Sequence, residues 1–265
     1  MRVRGALIRR VRHWVANRGW RGFLAEVLRR AGGLLAGRAR AGDARAGAAG
    51  LGAEQVHPFD RRYGVETSGL IWGERLGTGE RREIWATGYY GISPSVLWQA
   101  MDRMGLEWPR LTFVDIGCGK GRAVMLALRH PFRRVIGVEL SRELVRVAVE
   151  NVERLSAVWR TDAPCDVIAG DATTTELPSG PLLLYLYHPF AAPVMTEFLA
   201  HVKASLELEP REMYLLYVNP EMDDLLRRCE WMERMWEESF AMEEGDAAAD
   251  RFGSRSERVV AYRAR

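Results

Sequence analysis

The segment VDIGCGKGR (114–122) constrains this chain more than any other. The apolar run LTFVDI (111–116) ends on an acid, and Gly117, Gly119 and Gly121 follow at once. A short apolar run bounded by glycines reads as a buried strand. Glycines accept positive φ and allow a ligand to approach the backbone closely. A helix is predicted from about Arg122 to Arg129, stopping before Pro131. Strand, glycine turn and helix in succession aim backbone N–H groups and a helix N-terminus at whatever lies above the turn. In sheets built from such units, ligands bind beyond the carboxyl ends of the strands.

The rest of the chain supports that unit. RRVIGVE (133–139), CDVIAGD (165–171), PLLLYLY (181–187) and EMYLLYV (212–218) read as further buried strands, and residues 232–240 and 257–263 as two late ones. Helices are predicted from Ser141 to about Ala157, where Leu144, Val145, Ala148, Val149 and Val152 have helical spacing, and near 191–206. Strands alternating with helices predict an α/β fold: a Rossmann-like, seven-stranded, mostly parallel sheet with helices on both faces. Residues 54–108, rich in aromatics and glycines, read as an N-terminal helical cap on the domain 109–265. Within the cap, Ser93 and Pro94 mark the start of a helix that runs to Met104.

Charge separates the first 53 residues from this body. Twelve arginines against Glu26 and Asp43 give residues 1–45 a charge of +10, whereas the chain as a whole carries +3 and its remainder therefore −7. Residues 1–30 fit an amphipathic helix interrupted by glycines, and residues 31–53 a flexible linker of Ala, Gly and Arg. Such a basic arm suits RNA, an acidic protein or a membrane surface, or has no partner at all. Cys118, Cys165 and Cys229 are odd in number and widely spaced, as expected of reduced thiols in a cytoplasmic protein. There is no apolar run long enough to span a bilayer, and His13, His57, His130, His188 and His201 form no i, i+4 metal pair.

The glycine turn admits three chemistries. A phosphate-binding G-x-x-x-x-G-K-[ST] loop requires Gly where Val114 stands, which excludes it. A dinucleotide G-x-G-x-x-G turn places Arg122 where close helix packing wants a small residue. A nucleoside-sulfonium turn, D-x-G-x-G-x-G, fits throughout: Asp115 would repel a pyrophosphate but suits a cationic amino group. On these residues, positions 111–219 resemble the class I S-adenosylmethionine-dependent methyltransferases, and with the cap they resemble a poorly characterised bacterial group with distant protein-lysine-modifying cousins. VIGVEL, GDAT (170–173) and YLYHPF (185–190) recur in that family's order.

The resemblance implies roles. Asp115, Gly117, Gly119 and Gly121 would form the S-adenosylmethionine turn, and Glu139, at a strand end, would accept the ribose hydroxyls. Asp171 would accept from the adenine amino group, with the Ala172 backbone at the ring edge, and Tyr187 would stand at the fourth strand end near the methyl group. Tyr90 and Ser95 of YYGISPS (89–95) would lie over the methionine end. His188 and Phe190 are the candidate catalytic residues, one as general base and the other holding the acceptor. Each has a plainer reading beside it: Glu139 as a helix-capping acid, Asp171 as a turn former, His188 as a core histidine, Phe190 as packing, and Tyr90 and Ser95 as a helix start. Lys120 and Arg122 read as solvated or capping residues, Cys118 as small and buried, and GVETSG (64–69) has no assignment. YHPF lacks the amide and second proline common in amine methyltransferases, so the acceptor stays open among a protein side chain, a small molecule and RNA. The competing class is a non-catalytic binding protein on the same fold, tethered by the basic arm; a dehydrogenase stands further off.

Overall fold

The computed structural model describes residues 56–71, 85–159 and 163–265. The basic arm and linker lie outside the described residues. A short helix α1 (Pro58–Tyr63) leads into a two-stranded antiparallel ribbon, β1 (Leu70–Ile71) with β2 (Tyr89–Tyr90), and then α2 (Pro94–Met104). Ser93 is the N-cap residue of α2 and Pro94 its first residue, but the Ser93 side chain makes no capping bond.

Strands and helices then alternate. They are β3 (Thr112–Ile116), α3 (Arg122–Ala127), β4 (Arg134–Glu139), α4 (Arg142–Trp159), β5 (Cys165–Ala169), β6 (Leu182–Tyr187), α5 (Ala192–Leu208) and β7 (Met213–Val218). After α6 (Asp223–Arg227) come β8 (Met232–Ala241), α7 (Glu244–Ala249) and β9 (Ser256–Ala264). The sheet order is β5-β4-β3-β6-β7-β9-β8. The pairs through β7 are parallel, and β9 runs antiparallel between β7 and β8.

The central strands are buried on both faces, so they read as continuous apolar runs and not as alternation. Phe113, Val135, Leu183, Tyr185 and Leu216 face one core, shared with α2, α3 and α4. Val114, Ile116, Leu182, Leu184 and Leu186 face the other, under α5 and α6. Phe59, Val65, Ile92 and Leu97 belong to the first core. The cap segments thus share the sheet's own hydrophobic core.

β5 is an exception. The run CDVIA reads as a buried strand, but it is the sheet edge and Ile168 is exposed. A short apolar run alone does not distinguish an edge from a centre. At the other edge, β8 carries Glu233, Arg234, Glu237 and Glu238. Glu233 pairs with Arg263, Glu238 with Arg103, and Glu237 with Arg227, Arg234 and Arg258. A charged edge strand discourages pairing with further chains.

Chain order reverses between β3 and β6. From β3 the chain winds outward through β4 and β5, then returns to β6 on the opposite side. At such a switch point the connections leave in opposite directions, which opens a crevice beyond the strand ends.

Candidate active site

A cleft open to solvent occupies that crevice. Its floor is the glycine turn. Gly117, Gly119 and Gly121 have φ of +78°, +55° and +81°, and the Gly117 and Cys118 N–H groups both donate to the Val138 carbonyl. The glycines serve different purposes. A Cβ on Gly119 would stand 2.1 Å from the Tyr89 ring, and one on Gly117 would stand 2.7 Å from Pro189. Gly121 does not line the cleft: it meets Ala148, so it serves the packing of the turn against α4.

Asp115, Glu139, Asp171, Ala172, Tyr187, Tyr90 and Phe190 all line the cleft. Glu139 accepts from Gly119 N–H at 2.9 Å and from Ser141 N–H at 2.8 Å. It is therefore a capping acid and a cleft acid at once. Burial raises its pKa, and these backbone bonds hold it partly down. Asp115 is fully enclosed; burial, and then the charge of Glu139, push its carboxyl well above the usual range. Asp171 accepts from Thr173 N–H and hydroxyl at 2.8 and 2.7 Å, so it forms the turn while facing the cleft. Phe190 is buried against Phe198 at the cleft wall, combining packing with access.

Two further candidates make side-chain contacts outside the cleft lining. The His188 side chain is turned away from the cleft: Nδ1 lies 3.1 Å from the Tyr217 hydroxyl, within the sheet's buried interior. Its backbone has φ +41°, and its carbonyl accepts from the Thr87 hydroxyl. It thus shapes the strand end. Ser95 also misses the cleft, because its N–H and hydroxyl both donate to Asp246, at 2.8 and 2.5 Å. Tyr90 lines the cleft while its hydroxyl donates to Asp250 and accepts from Arg251 N–H, each at 2.9 Å.

Lys120 and Arg122 are not solvated; both are buried. GVETSG explains why. Asp60 accepts from Thr67 N–H, Ser68 N–H and both hydroxyls, with the Ser68 bonds at 2.6 and 2.7 Å. Arg122 donates to the Thr67 hydroxyl at 2.6 Å and to the carbonyls of Thr67 and Ile92 at 3.0 and 3.2 Å. Lys120 donates to Glu66 and to the Ser68 carbonyl, and Asn151 ties Glu66 to the glycine turn. GVETSG is therefore the clasp that fastens residues 56–71 to the turn. Sequence reasoning also missed Tyr89, the lid over Gly119, and Tyr185, whose buried hydroxyl lines the cleft without a hydrogen-bond partner. A tyrosine in an otherwise aliphatic buried strand was the signal for the latter.

The sheet order, the switch-point cleft and the acid-flanked glycine turn define a Rossmann-like α/β protein. Residues 113–207 match the model of a family described as a methyltransferase domain. A methyltransferase of Aspergillus campestris is 40% identical over 55 residues, covering 20% of this chain and 16% of the relative. The ribosomal protein L11 methyltransferase of Serratia proteamaculans is 30% identical over 84 residues, 29% of this chain and 28% of the relative. The chain thus spans less than a third of the length of these curated relatives. Among solved structures, TrmN of Thermus thermophilus aligns at 16% identity and a TM-score of 0.44, over 66% of this chain and 49% of that one. The ribosomal protein L11 methylase of Lactobacillus delbrueckii aligns at 14% identity and a TM-score of 0.41, over 63% and 79%. Residues 113–207 are thus identified as a methyltransferase domain.

Proposed function

We propose that the cleft binds S-adenosylmethionine and that the protein transfers its methyl group to an acceptor that remains to be identified. The observation that carries this reading is Asp115. It is buried at the end of β3 and lines the cleft, and among the described residues it has a second carboxylate beside it and no cationic partner. A buried acid in that setting favours a ligand that brings positive charge. Asp115 would face the amino group, Glu139 the ribose hydroxyls, and Asp171 with Ala172 the adenine. When bound, S-adenosylmethionine supplies an electrophilic methyl group on a sulfonium. The chain's own part is to hold the reactants in line and exclude water, with Phe190, Tyr90 and Tyr89 walling the cleft.

Titration calorimetry of the full chain tests this reading. S-Adenosylmethionine should bind at micromolar concentration and a nicotinamide dinucleotide should not; the reverse preference would refute it. Binding should also depend on pH. Asp115 and Glu139 have raised pKa values in the free protein, and a cationic ligand needs them ionised. Affinity should therefore rise with pH as these carboxyls ionise, and a profile that does not change with pH would argue against their role. His188→Ala should lower stability by about 1–2 kcal/mol, because the Tyr217 hydroxyl then loses its imidazole partner. Because His188 points away, the same variant should leave cofactor affinity within about twofold, as denaturation and calorimetry together would show.

A further inference from the structure

On the side of the cleft away from Asp171, the structure holds polar groups that no cofactor role accounts for. β9 runs antiparallel, so its first residues lie at the same sheet edge as the carboxyl ends of β6 and β7. This brings Glu257 behind Tyr187, whose hydroxyl donates to Glu257 Oε1 at 2.7 Å. The other oxygen, Oε2, is buried and has no hydrogen-bond partner. Two residues back on β6, Tyr185 faces the same way, and its hydroxyl is likewise buried and unpartnered. Tyr185 and Tyr187 both line the cleft.

We propose that Tyr187 and Glu257 form a proton-accepting relay on the acceptor side of the cleft, serving an acceptor whose nucleophile arrives as a protonated amine. This rests on the methyltransferase reading and extends it to the second substrate. The ammonium group loses one proton to the Tyr187 oxygen as the Tyr187 hydroxyl proton passes to Glu257. Tyr187 ends as a neutral hydroxyl, Glu257 as a carboxylic acid, and the amine with a free lone pair. The buried Tyr185 hydroxyl lies beside the pair and is not itself reached by the acceptor. Glu257 acts through Tyr187 and is a positioning and proton-storing residue.

Charge supports a cationic acceptor. The groups around Glu257 are the Tyr187 hydroxyl on β6 and the carboxylates of Asp246 on α7 and Asp250 just beyond it. Asp246 is in turn bonded to Ser95 and lies 3.5 Å from His57, and Asp250 is bonded to Tyr90. The carboxylates of Asp246 and Asp250 thus surround Glu257 with like charge. Burial, with Asp250 and Asp246 adding to it, pushes the Glu257 carboxyl up to about 7, so it stores a proton near neutrality.

The test needs no acceptor. Sinefungin, the cofactor analogue bearing an amine at the methyl position, is compared with S-adenosylhomocysteine, which has none, by calorimetry on the full chain. Both carry the same methionine amino group, so the demands of Asp115 and Glu139 cancel in their ratio. The wild type should prefer sinefungin about tenfold at about pH 8, and the preference should fade as pH drops through about 7 and Glu257 takes up a proton. Glu257→Gln and Tyr187→Phe should each abolish the preference; Glu257 does not line the cleft, so Glu257→Gln should keep S-adenosylhomocysteine affinity within about twofold, and thermal unfolding shows that both variants are folded. If Glu257→Gln does not fold, Tyr187→Phe carries the comparison. No preference in the wild type, or one that survives in these variants, overturns the relay. Failure of both analogues to bind instead overturns the methyltransferase reading, and the relay with it.

Discussion

Asp115→Ala and Glu139→Ala should each weaken S-adenosylmethionine binding by about 100-fold. The figure corresponds to about 3 kcal/mol, the scale of one charge-assisted hydrogen bond removed from an enclosed site. The two effects have different origins. Asp115 has no polar partner to leave stranded among the described residues, so its removal relieves the free protein of a buried charge and costs only the ligand. Unliganded Asp115→Ala should therefore be as stable as the wild type or more stable. Glu139 also holds the glycine turn through Gly119 N–H and caps α4 through Ser141 N–H. Its removal should lower both affinity and stability. Calorimetry paired with thermal unfolding separates the two. Equal reductions in affinity with opposite shifts in Tm would support the assignment, and wild-type affinity in either variant would remove that residue from the site.

Arg122→Met should be the most destabilising single change, lowering stability by about 3–5 kcal/mol. Arg122 is 4% exposed and bonds the Thr67 hydroxyl and two carbonyls, with Asp60 at 3.7 Å. Removing the guanidinium leaves those acceptors and a buried carboxylate without their cation. For a domain of this size the corresponding drop in Tm is roughly 10 °C. Lys120→Ala is the contrast. Its partner Glu66 is largely exposed, and screening by water limits that pair to at most about 1 kcal/mol. The clasp fixes the segment carrying Tyr89 above Gly119, through the bond from the Tyr89 hydroxyl to the Thr67 carbonyl. Arg122→Met should therefore also weaken cofactor binding. Unchanged Tm in Arg122→Met would mean that the cap does not depend on the clasp.

The legible part of this protein is the part written in local pattern. Strand boundaries are readable to within a residue or two because a strand buried on both faces must be apolar without interruption, as LLLYLY is. The turn is legible because positive φ at Gly117, Gly119 and Gly121 demands glycine whatever surrounds it. Glu139 is legible because the register of a strand end places it next to the turn. Direction and partnership are not. His188 and Ser95 lie where sequence spacing puts them, but the conformation of the backbone and the pull of Tyr217 and Asp246 turn their side chains elsewhere.

By itself, the sequence determined the alternation of strands and helices, the glycine turn and the acids at the strand ends, since each follows from interactions among residues close in the chain. Only the tertiary structure decided that Arg122 is a buried clasp and not a solvated charge, that β5 is an edge, and that Glu257 stands behind Tyr187 across 70 positions of chain. Those facts depend on which distant group meets each side chain once water is excluded, and no local pattern encodes such a meeting.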